Sequence, residues 1–397
     1  MIALTDTLKA FLSVHAADDT HRLLLSAHRY PGIDVSFVVQ QLEGRRKAAE
    51  KFPSLLANAD FIYPVKLSME QCSSEQTATY KASLIKGLSV VDITGGLGID
   101  ALFMSKTAIS LCYVEQNVEL HEIATHNFAA CKASVESHSG DGIDFLRTSN
   151  RHFECIYLDP ARRDRQSNKL VRLDACEPNI LEYKELLFEH ADRFLLKASP
   201  MLDITQAVKE LGCVSHVHVV AVRNECKELL FDCCKEPENL FITCVDIESD
   251  GENRFTFSPV EEATAAVNYA STPATYLYEP NVALLKAGAF RLVAQRFNLQ
   301  KLHPDTHLYT STILCADFPG RIFEIMEVFP LNKKELARVL PSKKANVSVR
   351  NFQMKPEEIQ RKFGLTDGGD DYLFAVTVSG GDKGALLCSK VKRALNH

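Results

Sequence analysis

The segment Val90-Val91-Asp92-Ile93-Thr94-Gly95-Gly96-Leu97-Gly98-Ile99-Asp100 constrains the fold of this 397-residue chain more than any other. An apolar run of strand character ends in an acid, enters a glycine-rich turn and continues into a helical stretch at 101–106. Glycines there permit a tight turn and let a ligand approach the main chain, while the free N–H groups of the following helix favour an anionic or electron-rich group. Strand, glycine turn and helix in that order predict a nucleotide-like ligand at the carboxyl edge of a parallel sheet.

The surrounding sequence fits that sheet. Short apolar runs at 88–93, 110–114, 155–158, 193–196, 216–222 and 241–245 alternate with amphipathic stretches. The alternation predicts an α/β doubly wound sheet of parallel strands joined by helical crossovers, with 241–245 as its last strand. Upstream, Leu8, Phe11 and Leu12 have helical spacing, and Pro31-Gly32, Gly44 and Pro53 read as punctuation, so a small helical domain is expected over 1–69. Ser73-Ser74-Glu75-Gln76 has the form of a capping box, and Gly87 is placed to end the helix it opens. Beyond the core domain, expected over 70–250, a polar connection leads through Thr272-Pro273. The helical stretch 282–297 and short strands around 308–314, 321–328, 347–352 and 372–378 then predict one or two small α+β units.

A chain this long, 46% hydrophobic, can bury more than one core. No apolar run reaches the length of a membrane helix, and the first residues lack a basic stretch followed by an apolar one, so a cytoplasmic protein without membrane attachment is expected. The twelve cysteines are scattered, several of them inside apolar runs, which fits a reducing compartment. Cys213, Cys226, Cys233, Cys234 and Cys244 were weighed as zinc ligands, but no C-x-x-C pair has a matching partner pair, so no metal is expected. The net charge of −6 argues against a protein coated in nucleic acid. Residues 331–362 depart from that balance, with nine Lys/Arg, Lys343 and Lys344 among them, against three acids.

Five stretches carry chemistry. The first is the turn itself, with Asp92, Thr94, Gly95, Gly96 and Gly98. Glu115 ends the next strand, where a carboxylate accepts hydrogen bonds from both hydroxyls of a ribose. Asp141 and Gly142 follow another strand end, where an acid suits an adenine amino group. Asp159-Pro160 close the strand ending at Leu158, where open α/β sheets bind and transform ligands, and Arg162, Arg163 and Arg165 follow with charge suited to phosphate. Lys197 and Ser199, at the next strand end, are placed to orient a substrate. The turn alone does not separate two ligand classes, because Gly96-Leu97-Gly98-Ile99-Asp100-Ala101 also satisfies the G-x-G-x-x-A form of NAD-binding folds. Asp92, Asp141 and Asp159-Pro160 together favour S-adenosylmethionine.

On these residues the chain resembles class I S-adenosylmethionine-dependent methyltransferases. Asp92-x-Thr94-x-Gly96-x-Gly98 is similar to the glycine motif, with Thr94 where a glycine is usual, Glu115 to the ribose acid, Asp141 to the adenine acid and Asp159-Pro160 to the opening of the substrate-side motif. The order of a helical segment, Ser68 to Glu75, a core with Asp159-Pro160-Ala161-Arg162 and a small C-terminal region resembles bacterial members with a THUMP-like domain. The resemblance implies a Rossmann-like seven-stranded sheet, a ferredoxin-like unit over 272–340 and a THUMP-like unit over 341–397. It also implies RNA as the substrate class, with methylation of a base.

Within that class, amino-group methyltransferases use Asn/Asp-Pro-Pro-aromatic. Ala161 and Arg162 stand at the last two positions here, which argues against an exocyclic amino group. Uracil C5 enzymes carry a nucleophilic cysteine near the next strand end. This chain has Leu196-Lys197-Ala198-Ser199-Pro200-Met201, so covalent catalysis through a thiol is not expected. Asp159 is the residue expected to touch the nucleophile. Two other functions share the same residues: a non-catalytic RNA-binding or assembly protein with a retained pocket, and a methyltransferase of small molecules or proteins.

Overall fold

The computed structural model of the chain describes residues 4–162, 172–249, 251–378 and 380–391. They form two compact units, one of residues 1–218 with 227–239 and one of residues 219–226 with 240–397.

The first unit opens with helices α1 (Asp6–Val14), α2 (Thr20–Leu25), α3 (Val35–Lys51), α4 (Lys66–Gln71) and α5 (Glu75–Leu84). Polar side chains cap most of them: Thr5, Asp19 and Asp34 accept from backbone N–H groups in the first turns of α1, α2 and α3. Gly44 is not punctuation. It lies inside α3, where a Cβ would stand 2.2 Å from that of buried Tyr63, so the helix needs a glycine to admit the ring. The cap of α5 is displaced by one residue from the expected box: Ser74 accepts from Thr77 N. Ile85 forms the C-cap, with Gly87 at φ 78° two residues on.

The sheet follows, with strands β1 (Ser89–Asp92), β2 (Ser110–Glu115), β3 (Glu136–Ser139), β4 (Phe153–Leu158), β5 (Ala191–Ala198), β6 (Val214–Val222) and β7 (Glu225–Cys234). Their order is β6-β7-β5-β4-β1-β2-β3. Helices α6 (Ile99–Met104), α7 (Val118–Ala130), α8 (Gly142–Thr148), α9 (Ile180–His190) and α10 (Ile204–Leu211) lie between successive strands. β1 pairs in parallel with β2 and β4, β2 with β3 and β4 with β5, and central residues such as Val90, Val91, Ile156 and Leu195 are fully buried. The expectation of crossovers throughout fails at one place. β7 runs antiparallel to β5, and the chain reaches it from β6 through Arg223 and Asn224, at φ 51° and 60°. Two successive left-handed residues form the tight turn of a hairpin without the glycine that would have announced it.

The second unit holds β8 (Phe241–Glu248), β9 (Gly251–Phe257), α11 (Pro259–Thr264), β10 (Tyr276–Pro280), α12 (Val282–Ala287), α13 (Phe290–Arg296), β11 (Gln300–His303), β12 (Thr306–Ser311), β13 (Gly320–Phe329), α14 (Lys333–Val339), β14 (Asn346–Arg350), α15 (Pro356–Phe363), β15 (Asp371–Thr377) and β16 (Lys383–Lys390). The strand run at 241–245 thus falls with this unit, where β8 and β9 pair as an antiparallel hairpin. The other strands form one seven-stranded sheet, ordered β11-β12-β10-β13-β16-β15-β14. Two apolar clusters fill it, one around Leu277, Phe323 and Phe374, the other around Leu336, Ile359 and Leu373. Among the described residues no helix is long and apolar enough to cross a membrane.

Candidate active site

The carboxyl ends of β1, β2 and β4, together with the turn after β3, open into one cleft of about 920 Å³ within the first unit. Asp92, the last residue of β1, is 1% exposed, and its Oδ1 accepts the Thr94 N–H at 3.0 Å. Burial pushes its carboxyl well above the ordinary range, the Thr94 bond opposes this, and the Asp100, Asp159 and Glu115 carboxylates push it further up. The turn after Asp92 is held by Gly95 N to Val114 O at 3.0 Å and Gly98 N to Gly95 O at 2.9 Å. Gly95 leaves room for the Tyr113 ring, which a Cβ would approach to 2.1 Å, and Gly98 caps α6 at φ 77°.

Thr94, where the motif commonly has glycine, has a partner of its own. Its hydroxyl accepts the backbone N–H of Asp159 at 2.6 Å and so ties the turn after β1 to the end of β4. Glu115 is 8% exposed and receives Gly96 N at 2.6 Å on one oxygen and Asn117 N at 2.7 Å on the other. Asp141 caps α8 through a single oxygen, Oδ1, at 2.8 Å from Ile143 N and 3.0 Å from Asp144 N. Gly142 packs so closely on the turn that a Cβ would lie 2.1 Å from Ile93 O.

At the substrate side, Lys197 Nζ stands 2.5 Å from Asp159 Oδ2. Burial alone would lower the Lys197 ammonium, but the Asp159, Glu228 and Asp100 carboxylates outweigh it, and the group is held above its ordinary value. Asp159, Pro160 and Lys197 also line a second crevice of about 200 Å³, shared with Ser199, Arg172 and Lys227. Arg172 there bonds Asp174 through two nitrogens, at 3.0 and 2.7 Å.

The residues predicted from sequence therefore divide into groups. Asp92, Thr94, Gly95, Gly96, Gly98, Glu115, Asp141, Gly142, Asp159, Pro160 and Lys197 line the main cleft, and Ser199 the adjoining crevice. The backbone of Arg162 pairs with Cys176 in a two-residue ladder, while its side chain, Arg163 and Arg165 lie outside the described residues. Lys343 and Lys344 belong to the second unit, Lys343 at φ 51° and Lys344 beside Gly368 and Gly369. Two other cations of that basic stretch are tied to acids, Arg338 to Glu327 and Glu335, and Arg350 to buried Glu279.

Sequence reasoning missed a buried charge network behind the cleft. Lys81, fully buried in α5, reaches both Glu228 oxygens at 2.8 and 2.9 Å, Ser73 Oγ at 2.9 Å and Asp100 Oδ1 at 3.2 Å. Asp100 Oδ2 accepts from Ser73 Oγ and Tyr157 OH, each at 2.8 Å. Ser68, Gln71, Cys72 and Ser73 also line the cleft, a role their sequence pattern does not announce. The cysteines weighed for zinc divide between the units: Cys213 and Cys233 share a thiol hydrogen bond in the first, and Cys226 and Cys244 lie in the second. A different trio, Cys112, Glu136 and His138, brings its ligand atoms within 4.8 Å. Glu136 in that trio already pairs with Arg151 at 2.8 Å, and burial pushes the Cys112 thiol up to about 12.

Residues 276–319 match a ferredoxin-like domain family and 320–390 a THUMP domain-like family, the two stretches meeting at the first residue of β13, so that both share one sheet. No curated protein matches the chain in sequence. A crystal structure from Porphyromonas gingivalis W83, described as a "putative methyltransferase", is 34% identical, covers 97% of this chain and 98% of its own, and superposes with a TM-score of 0.88. A crystal structure from Pyrococcus horikoshii, described as a "putative RNA methyltransferase" (18% identity, 48% of this chain and 94% of that one, TM-score 0.33), is also similar. So is one from Streptococcus mutans, described as a "putative methyltransferase" in complex with SAH (13%, 41% and 97%, 0.30). The near-complete match to the Porphyromonas protein, with the strand order and the domain matches, means that the chain belongs to the class I methyltransferase family that carries a C-terminal THUMP-like domain.

Proposed function

We propose that the protein is an S-adenosylmethionine-dependent methyltransferase that acts on RNA in the cytoplasm. The observation that carries the cofactor assignment is the convergence of Asp92, Glu115 and Asp141 on one cleft that Asp159 also lines. The charge of the lining favours S-adenosylmethionine over a dinucleotide: seven carboxylates and two cations face the cleft, an environment that repels a pyrophosphate and suits a sulfonium with an amino group. Asp92 supplies a buried carboxyl whose ionisation a ligand ammonium would restore, Glu115 accepts ribose hydroxyls, and the second oxygen of Asp141 is left for an adenine amino group. When bound, S-adenosylmethionine supplies a methyl group activated by positive sulfur. The chain's part is to align the nucleophile within about 3 Å of that methyl and to exclude competing water, and Asp159 with Lys197 stands where the nucleophile would enter.

RNA is supported by the THUMP domain-like match at 320–390 and by the three cations, Arg172, Lys197 and Lys227, beside Asp159. A cytoplasmic setting is supported by twelve free cysteines. The test is transfer of labelled methyl groups from S-adenosylmethionine to RNA of a strain lacking the gene. Asp159→Ala should bind S-adenosylmethionine as tightly as the parent yet lose transfer, and an unaltered rate in that variant would reject the assignment.

A further inference from the structure

Two sets of ion pairs meet at the substrate side of the site: Asp159 with Lys197, and Lys81 with Glu228 and Asp100, whose carboxylates also act on Lys197. Asp159 and Lys197 open onto both the cleft and the crevice, with side chains 37% and 13% exposed, whereas Lys81 and Glu228 are sealed at 0% and 3%. Buried ions are costly and are seldom kept without a task. Here the sealed carboxylates face a lysine that must remain an ammonium, and burial alone would favour its loss of a proton.

We infer that the group methylated is a hydroxyl, the 2′-hydroxyl of a ribose, received beside the ion pair of the Asp159 carboxylate and the Lys197 ammonium. The inference rests on the RNA methyltransferase reading and replaces methylation of a base, expected from sequence, as the reaction.

Lys197 Nζ donates to Asp159 Oδ2 at 2.5 Å; an ammonium has three N–H donors and a carboxylate several lone pairs, so the pair suits an incoming group that both donates and accepts. An amine or ring nitrogen spends its lone pair on the methyl group and becomes positive, so a fixed ammonium beside it opposes the reaction. A hydroxyl oxygen becomes more negative as its proton leaves, and the same ammonium stabilises it. The crevice agrees. It holds about 200 Å³, its described lining includes Arg172, Lys197, Lys227 and Ser199, and among the described residues no aromatic ring lines it. Such a recess, small and lined by cations, suits a sugar with its phosphates.

In the reaction the hydroxyl oxygen forms a bond to the methyl carbon while the methyl–sulfur bond breaks, and its electron pair stays on sulfur. The hydroxyl proton passes to the Asp159 carboxylate and from there to solvent. Lys197 donates to the oxygen throughout; the Glu228 and Asp100 carboxylates act as positioning residues that keep it charged, and Lys81 holds those two carboxylates in place.

The test uses the full chain, methyl-labelled S-adenosylmethionine and RNA from cells lacking the gene, with the product digested in alkali. A 2′-O-methyl group blocks cleavage at its own phosphodiester, so label in alkali-resistant dinucleotides is the expected result. Label confined to mononucleotides would overturn the hydroxyl assignment and leave the RNA reading intact. No label in RNA, with S-adenosylmethionine binding measured by calorimetry, would reject the RNA reading and this inference with it. Lys197→Met is expected to cut kcat about 100-fold with cofactor affinity unchanged, and Lys197→Arg to recover part of it. An undiminished kcat in Lys197→Met would overturn the role given to the ammonium.

Discussion

The Thr94 hydroxyl accepts the backbone N–H of Asp159 at 2.6 Å, joining the cofactor-side turn to the residue that meets the substrate. Thr94→Val keeps the shape of the side chain and removes the acceptor. The expected outcome is a loss of about 1–2 kcal/mol in chemical denaturation and a fall in kcat of about tenfold, with Thr94→Ser near the parent in both.

The position of Asp92 predicts a trade between stability and binding. Burial raises its folded-state pKa well above the value near 3.9 of an unfolded aspartate. The folded state therefore holds this proton to higher pH than the unfolded chain does. The stability it contributes is fully present below about pH 4 and is lost as pH rises through the raised folded value. Asp92→Asn should flatten that part of the profile, raise Tm by a few degrees at neutral pH and weaken S-adenosylmethionine binding at least about tenfold. Thermal melts across pH and calorimetric titration measure the two effects.

The buried network predicts a large cost for Lys81→Met. The substitution leaves Glu228 and Asp100 buried without the cation they share, and the expected loss is about 3–5 kcal/mol in urea denaturation. Glu228→Gln in the same chain should recover part of it, because it removes one of the stranded charges.

Gly95→Ala tests the turn by sterics. The new methyl would enter the Tyr113 ring at 2.1 Å, and Tyr113 OH holds Gly96 O at 2.6 Å, so turn and ring must move together. A destabilisation of about 1–3 kcal/mol is expected together with weaker cofactor binding, read by melting with and without S-adenosylmethionine.

These residues also show why some of the molecule was legible in the sequence and some was not. The glycine turn could be read because Gly96 and Gly98 take left-handed angles that other residues avoid, and acids at successive strand ends keep their order in sequence as they do in space. The strand end before Asp141 was legible, but the extent of β3, Glu136-Ser137-His138-Ser139, was not, because it is a polar edge strand without an apolar run. β7 escaped because Arg223 and Asn224 turn the chain without glycine, and its first half reads as a charged surface. The cap at Ser74 was misplaced by one residue because Ser73 is an equally good capping type, and the structure uses Ser73 on Asp100 instead. Lys81, Asp100 and Glu228 are distant in sequence and look like solvated charges, and their pairing exists only once α5, α6 and β7 are packed.

Calorimetric titration of the full chain with S-adenosylmethionine, repeated with Glu115→Gln and Asp141→Ala, bears most directly on whether this cleft is the cofactor site. The account predicts one saturable site per chain, with affinity falling at least about tenfold in each variant. No binding to the parent chain, or affinity undiminished in both variants, would contradict it.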